Sequence, residues 1–272
     1  MSNAPIGVFD SGVGGLTILQ AIREHLPNEN LLYVADSAYA PYGRLPKEIL
    51  HKRCMHIARF FAEQGAKAMV IACNTATAVM AEWLRNEFDI PIIAMEPAIK
   101  PAALATRTGK IGVFATENTL KSDRYQKLLV EYARDKKVFE SSCEGFVEQV
   151  ESGNLNSVEA FQLVEKYLQP MIDEHIDVLV LGCTHYPFLA PLMRKISSQQ
   201  VAGNQELQII HTADAVSLQL TRVLAEHDLL NFKDQEYVRY FTSGDAKRSS
   251  TIFSQLLLEN ISVSELPAIQ KK

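Results

Sequence analysis

The sequence predicts an α/β protein of two pseudo-symmetric lobes, each a mainly parallel sheet flanked by helices. Three observations predict it. Short β-branched or apolar runs alternate with longer segments whose apolar residues recur three and four positions apart, the signature of strand and helix in turn. Two stretches are echoed later in the chain. Ile6-Gly7-Val8-Phe9-Asp10-Ser11 resembles Ile111-Gly112-Val113-Phe114-Ala115-Thr116, and Val70-Ile71-Ala72-Cys73-Asn74-Thr75 resembles Val180-Leu181-Gly182-Cys183-Thr184-His185. Both pairs keep the same order at nearly the same spacing, which points to two lobes of similar plan. Finally, 272 residues that are 47% hydrophobic suffice for one large domain or two lobes of ordinary size.

In chain order the expected strands are Ile6–Phe9, Leu31–Ala35, Met69–Ala72, Ile92–Met95, Ile111–Ala115, Val178–Leu181, Leu207–Ile210 and Tyr237–Phe241. Between them the clearest helices are Leu16–His25, Lys47–Gln64 and Val158–Met171, with Pro46 fitting the first position of the second. Asn74 is a natural N-cap for a helix after Cys73, and Pro187 fits the first turn of a helix ending near Lys195. In parallel sheets of this kind ligands bind where strands end, so function is expected at those junctions.

Composition narrows the class. The formal charge is −5 and no basic run stands out beyond Lys271-Lys272, so neither nucleic acid nor an anionic membrane is the expected partner. No apolar run approaches the roughly 20 residues of a membrane span, and the N-terminus lacks the basic and apolar segments of a signal peptide. Cys54, Cys73, Cys143 and Cys183 are widely spaced with no C-x-x-C pair, which argues against a zinc site and for a reducing, cytoplasmic setting with free thiols.

Cys73 and Cys183 hold equivalent positions in the echo, each closing a buried strand before a helix. If the lobes face each other, the thiols do too. Two groups on opposite sides of a carbon, one ionised and one protonated, suit the removal of a proton from one face and its return to the other. Thiols are apt because their pKa is tunable toward working pH, and a helix start favours the thiolate. The plainer reading is that both are inert core cysteines. Polar residues gather at the same strand ends. Asp10-Ser11-Gly12-Val13-Gly14-Gly15 follows the first strand, where glycines admit a ligand to the backbone; a phosphate loop or a turn capped by Asp10 are the competing readings. Asp36-Ser37 and Pro41-Tyr42-Gly43 read equally as turn chemistry. His185 stands two residues beyond Cys183, placed to assist proton transfer, whereas Glu151 reads only as a helix-end acid and Cys54 and Cys143 as structural.

Asp10-Ser11-Gly12-Val13-Gly14-Gly15, Pro41-Tyr42-Gly43, Ala72-Cys73-Asn74-Thr75 and Gly182-Cys183-Thr184-His185-Tyr186-Pro187, with Ser243-Gly244-Asp245 near the end, resemble the glutamate racemases of the aspartate/glutamate racemase superfamily. The resemblance spans Ile6 to about Asp245. It implies an active site between the lobes, no pyridoxal phosphate or other cofactor, and no metal. It also implies a first lobe of residues 1–97 plus 208–272 carrying Cys73, and a second of 98–207 carrying Cys183. By similarity Cys73 takes the α-proton of D-glutamate and Cys183 that of L-glutamate. Asp10 supports Cys73, and His185, with Glu151 as assisting acid, supports Cys183. Ser11, Tyr42, Gly43, Asn74, Thr75, Thr119 and Thr184, together with Asp10 and His185, hold the substrate.

The chain departs from the family in the segment Cys143-Glu144-Gly145-Phe146-Val147-Glu148, where an apolar Cys-Pro-Leu type is common, and in Ala35, where glycine is usual. An extended N-terminal activator-binding region is not expected. Family members make D-glutamate for peptidoglycan and are often dimers. Competing expectations are a racemase for aspartate or hydantoins, a decarboxylase of the same fold with one thiol, and a non-enzymatic two-lobed binding protein, which would tolerate serine at both cysteines.

Overall fold

The structure, a computed structural model, describes residues 3–200, 207–234 and 237–268. Along the chain run β1 (Ile6–Asp10), α1 (Leu16–His25), β2 (Leu31–Ala35), α2 (Lys47–Glu63), β3 (Ala68–Ile71), α3 (Asn74–Glu87), β4 (Ile92–Ala94) and α4 (Ile99–Ala105). Then come β5 (Lys110–Ala115), α5 (Glu117–Leu120), α6 (Asp123–Tyr132), β6 (Lys137–Ser141), α7 (Phe146–Glu151), α8 (Val158–Asp173), β7 (Val178–Gly182) and α9 (Ala190–Gln200). The chain closes with β8 (Gln208–Ile210), α10 (Ala213–Glu226), β9 (Val238–Thr242), α11 (Ala246–Leu257) and β10 (Val263–Glu265). Among the described residues no helix is long and apolar enough to cross a membrane.

The fold is α/β, in two compact units: the described residues of Met1–Met95 with Ala213–Lys272, and Glu96–Thr212. The first holds a parallel sheet ordered β10-β9-β2-β1-β3-β4. Its central strands β1, β2 and β3 are buried along their whole length, which is why they read as unbroken apolar runs rather than alternating ones. Helices α2 and α3 seal one region of this unit, where Phe9, Met69 and Ile71 pack with Ile57, Phe61, Met80 and Leu84. The second unit holds a parallel sheet ordered β6-β5-β7-β8, with β5 and β7 at its buried centre.

The order β2-β1-β3-β4 within the first sheet repeats as β6-β5-β7-β8 in the second. The echoed stretches therefore fall on strands of equivalent place, β1 with β5 and β3 with β7. Even a glycine is shared. A methyl on Gly7 would lie 2.5 Å from the Phe61 ring, and one on Gly112 would lie 2.6 Å from Ile176 Cδ1 and 2.9 Å from Met171 Sδ. In each sheet a neighbour packs directly on the bare backbone. A ring wedged in the core yields less than the tip of an Ile or Met side chain. Gly7→Ala is thus expected to cost about 1–3 kcal/mol and Gly112→Ala distinctly less, read from urea denaturation midpoints. Equal losses would contradict the assignment of the difference to the ring.

The structure corrects several expectations. Strands β6 and β10 lie outside the expected set. Both are edge strands whose residues are largely exposed or half-exposed and partly charged, so they lack the apolar run of a central strand. Strand β8 pairs with β7, so Gln208–Ile210 belong to the second sheet rather than to a first lobe resuming at 208. The unit boundaries fall at Met95/Glu96 and Thr212/Ala213. Pro46 is the N-cap of α2, not its first residue, because its ψ of 144° is extended.

Candidate active site

Each sheet has a point where its winding reverses. From β1 the chain goes to β2 on one side and returns as β3 on the other; from β5 it goes to β6 and returns as β7. At such a point the loops leaving the two strands part in opposite directions and open a crevice at the strands' carboxyl ends. In the first unit those loops carry Asp10-Ser11 and Cys73-Asn74-Thr75, held side by side by Ala72 N donating to Phe9 O at 2.8 Å. In the second they carry Thr116–Thr119 and Cys183-Thr184-His185, with Ala115 paired to Gly182.

Cys73 is itself the N-cap of α3. Its backbone is extended, with φ −146° and ψ 119°, and its Sγ accepts from Ala76 N at 3.5 Å. The expected cap, Asn74, is instead the first helical residue. The sulfur therefore sits at a helix start, where unpaired N–H groups favour a negatively charged partner. Asn74 is buried, and neither amide atom finds a hydrogen-bond partner among the described residues. A buried amide without partners destabilises a fold. Asn74→Leu is expected to stabilise the ligand-free protein by about 1–3 kcal/mol in thermal unfolding; a loss of stability would show that the amide is satisfied.

Asp10 is fully buried, and its Oδ2 accepts from Gly12 N at 3.2 Å and Gly15 N at 3.0 Å. Its carboxylate thus caps the turn as well as ending β1. A methyl on Gly15 would lie 2.6 Å from Asp10 Cβ, so glycine is what lets the loop fold back on the strand end. Ser11 and Thr75 are buried as well. Tyr42 and Gly43 lie on a 3₁₀ turn, Tyr42–Arg44, and the Tyr42 hydroxyl donates to Asp36 Oδ2 at 2.6 Å. Asp36 also takes a two-pronged contact from Arg53, Nε to Oδ2 at 3.0 Å and Nη2 to Oδ1 at 2.7 Å. Sequence reasoning missed Arg53. Its signal was a charged residue on the apolar face of α2, between Leu50 and Ile57 at helical spacing.

In the second unit three side chains form a chain. Cys183 Sγ lies 3.8 Å from His185 Nδ1, and His185 Nε2 lies 2.7 Å from Glu151 Oε1. His185 is buried, while the Glu151 side chain keeps 19% exposure. Glu151 ends α7, which begins after Gly145 at φ 91°, a left-handed turn natural to glycine. Phe146, at the start of α7, packs edge-on against Phe114, Tyr167 and Tyr186 at centroid distances of 5.7, 5.5 and 5.1 Å. Tyr186 directly follows His185, so this aromatic cluster ties the helix of the acid to the turn of the histidine. Thr119 is buried with its Oγ1 2.9 Å from that of Thr116, and Thr184 is buried beside Cys183.

The other two thiols differ. Burial, and next the Asp36 charge, push the Cys54 thiol well up; burial does the same at Cys143, whose Sγ donates to Ser141 O at 3.5 Å. Both thiols are thus held toward the protonated form, the less nucleophilic one. Among the described residues no three His, Cys, Asp or Glu side chains are grouped to hold a metal ion.

Two parallel sheets of one winding, each with a cysteine at its reversal point, define the α/β class to which this protein belongs. The profile of the Asp/Glu/Hydantoin racemase family matches residues 15–216, and the chain belongs to that family. It is an isomerase, an amino-acid racemase. A glutamate racemase of Ectopseudomonas mendocina is 47% identical over 96% of this chain and 98% of its own length. Among solved structures, the glutamate racemase isoform RacE1 of Bacillus anthracis superposes with a TM-score of 0.86 at 33% identity, covering both chains completely. That of Francisella tularensis, solved in complex with D-glutamate, gives 0.83 at 29% identity over 98% of each chain.

Proposed function

We propose that the protein interconverts L- and D-glutamate without a cofactor by passing protons at the α-carbon between two thiols, Cys73 and Cys183. The observation that carries this reading is the equivalence of the two cysteines. Each follows the return strand at the reversal point of its own sheet, and each has its own polar support.

In the direction from L-glutamate, the Cys183 thiolate takes the α-proton and becomes a thiol. The Cys73 thiol then delivers its proton to the opposite face and becomes a thiolate. In the direction from D-glutamate the roles reverse. His185, oriented by Glu151, supports proton transfer at Cys183, and Asp10 supports Cys73. The intermediate is a carbanion beside a carboxylate, so charge grows on the carboxylate oxygens. Ser11, Asn74, Thr75, Thr184 and backbone N–H groups are the donors for that charge, with Tyr42, Gly43 and Thr119 completing the substrate contacts. Fixed donors in a water-poor site contribute several kcal/mol toward such a barrier, on the order of 3 kcal/mol for each one. The unpartnered amide of Asn74 fits this role, since a bound carboxylate and ammonium supply both the acceptor and the donor it lacks.

Glutamate as substrate rests on the relatives, and the product D-glutamate would feed peptidoglycan synthesis in the cytoplasm. Polarimetry on the purified protein without added cofactor tests the reading. Loss of optical rotation from both L- and D-glutamate is expected. Rotation lost from aspartate alone would move the substrate, and no change with any acidic amino acid would overturn racemisation.

A further inference from the structure

The buried pair Arg53–Asp36 has no part in the proton transfer above, yet its partner Tyr42 shares a core region with Cys73. Asp36 is fully buried at the end of β2, and its carboxylate is consumed by Arg53 on one side and the Tyr42 hydroxyl on the other. Tyr42, Cys54 and Cys73 pack in one core cluster, and the turn of Tyr42 lies against α3, which Cys73 caps. Burial first, with the neighbouring Cys54, Asp36 and Cys73 adding to it, raises the pKa of the Tyr42 hydroxyl well above its ordinary range.

We propose that Arg53 is a positioning residue for the reaction: by cancelling the Asp36 charge behind Tyr42, it keeps the Cys73 thiol within reach of ionisation. The inference deepens the two-thiol reading and rests on it. A carboxylate is needed to lock Tyr42, whose turn also carries Gly43. Left alone, that carboxylate would oppose a second negative charge on Cys73 in a region with little water to screen it. Arginine suits the task, because it stays charged when buried and its planar fork matches the carboxylate. Its guanidinium also stacks 4.2 Å over the Tyr39 ring, which holds it in place. Titratable groups near Cys73 in the same unit include Asp10 at the end of β1, Tyr42 on its turn and Cys54 on α2. His56, one turn beyond Arg53 on α2, has its pKa lowered by burial and then by the Arg53 charge, which disfavours its protonated form.

The pH dependence of Cys73 alkylation by iodoacetamide, followed by peptide mass mapping of that residue, tests the proposal independently of turnover. Asp36→Asn keeps the shape of the side chain and leaves the Arg53 charge uncancelled. Its Cys73 midpoint is expected to fall by about one pH unit or more, roughly a tenfold faster alkylation well below the midpoint. The double variant Asp36→Asn/Arg53→Met removes both charges and is expected to return the midpoint to that of the unaltered protein. A merely structural pair would not move the midpoint one way and back. Should Asp36→Asn fail to fold, Arg53→Gln carries the same test with the opposite sign, an upward shift. An unmoved midpoint in whichever single variant folds, or a double variant that stays shifted, overturns the proposal. Absence of racemisation in the unaltered protein would instead overturn the two-thiol reading, so the two failures are distinguishable.

Discussion

Serine at position 73 or at position 183 is expected to lower kcat/KM by about a thousandfold or more, and by the same factor for both enantiomers. The magnitude follows from the chemistry. A positioned acid or base contributes about 10²–10⁴-fold, and a serine hydroxyl is far too weak an acid to exist as the base near neutral pH. The equality follows from thermodynamics. L- and D-glutamate have the same free energy, so the ratio of the two kcat/KM values is unity in every variant, whichever thiol is removed. KM is expected to change little, because the donors proposed to hold the carboxylate remain in place. Kinetics in both directions on both variants check this. A variant retaining most of its turnover would show that its cysteine has no part in the proton transfer.

His185→Asn is expected to cost about a hundredfold or more in kcat, and Glu151→Gln about tenfold. The two residues form one chain with Cys183, at 3.8 Å and then 2.7 Å. The asparagine retains polarity at that site but no group that exchanges a proton near neutral pH. The glutamine still accepts through its oxygen but no longer balances an imidazolium, and it leaves the ring orientation less defined. Because Glu151 acts through His185, the double variant should lose little more than His185→Asn alone. Fully additive losses in kcat would mean that Glu151 acts on the substrate by itself. Glu151 sits on the short helix α7, pinned by Phe146 among three aromatic rings, so its position is set by packing rather than by chain proximity to His185.

Much of this was legible in the sequence for physical reasons. The central strands β1, β2, β3, β5 and β7 are buried on both faces, and such strands write themselves as apolar runs. Helix α1 fell at its expected bounds because its apolar spacing is regular. The reversal points were readable through the echo, since the same winding places the same residues at equivalent strand ends. Edge strands β6 and β10 carry no such record, and the membership of β8 depends on which partner it pairs with, a non-local choice. Asn74 is the better N-cap by residue type, yet Cys73 takes that place because its backbone is extended and its sulfur reaches the Ala76 N–H. The Arg53–Asp36 pair joins residues from a strand end and a helix, and only the misfit of an arginine on an apolar face hinted at it. Glu151 was placed by resemblance alone, because nothing local marks one helix-end acid among several.

The most direct test of the two-thiol claim is the fate of the α-hydrogen of L-glutamate in D2O at early times. A thiol carries one proton, so the hydrogen taken by Cys183 is not the one that Cys73 delivers. The first D-glutamate formed is expected to be deuterated at the α-carbon while the remaining L-glutamate keeps its hydrogen. The mirror result is expected from D-glutamate. D-glutamate formed with its original hydrogen retained would mean that a single base carries the proton across, and would overturn the two-thiol mechanism.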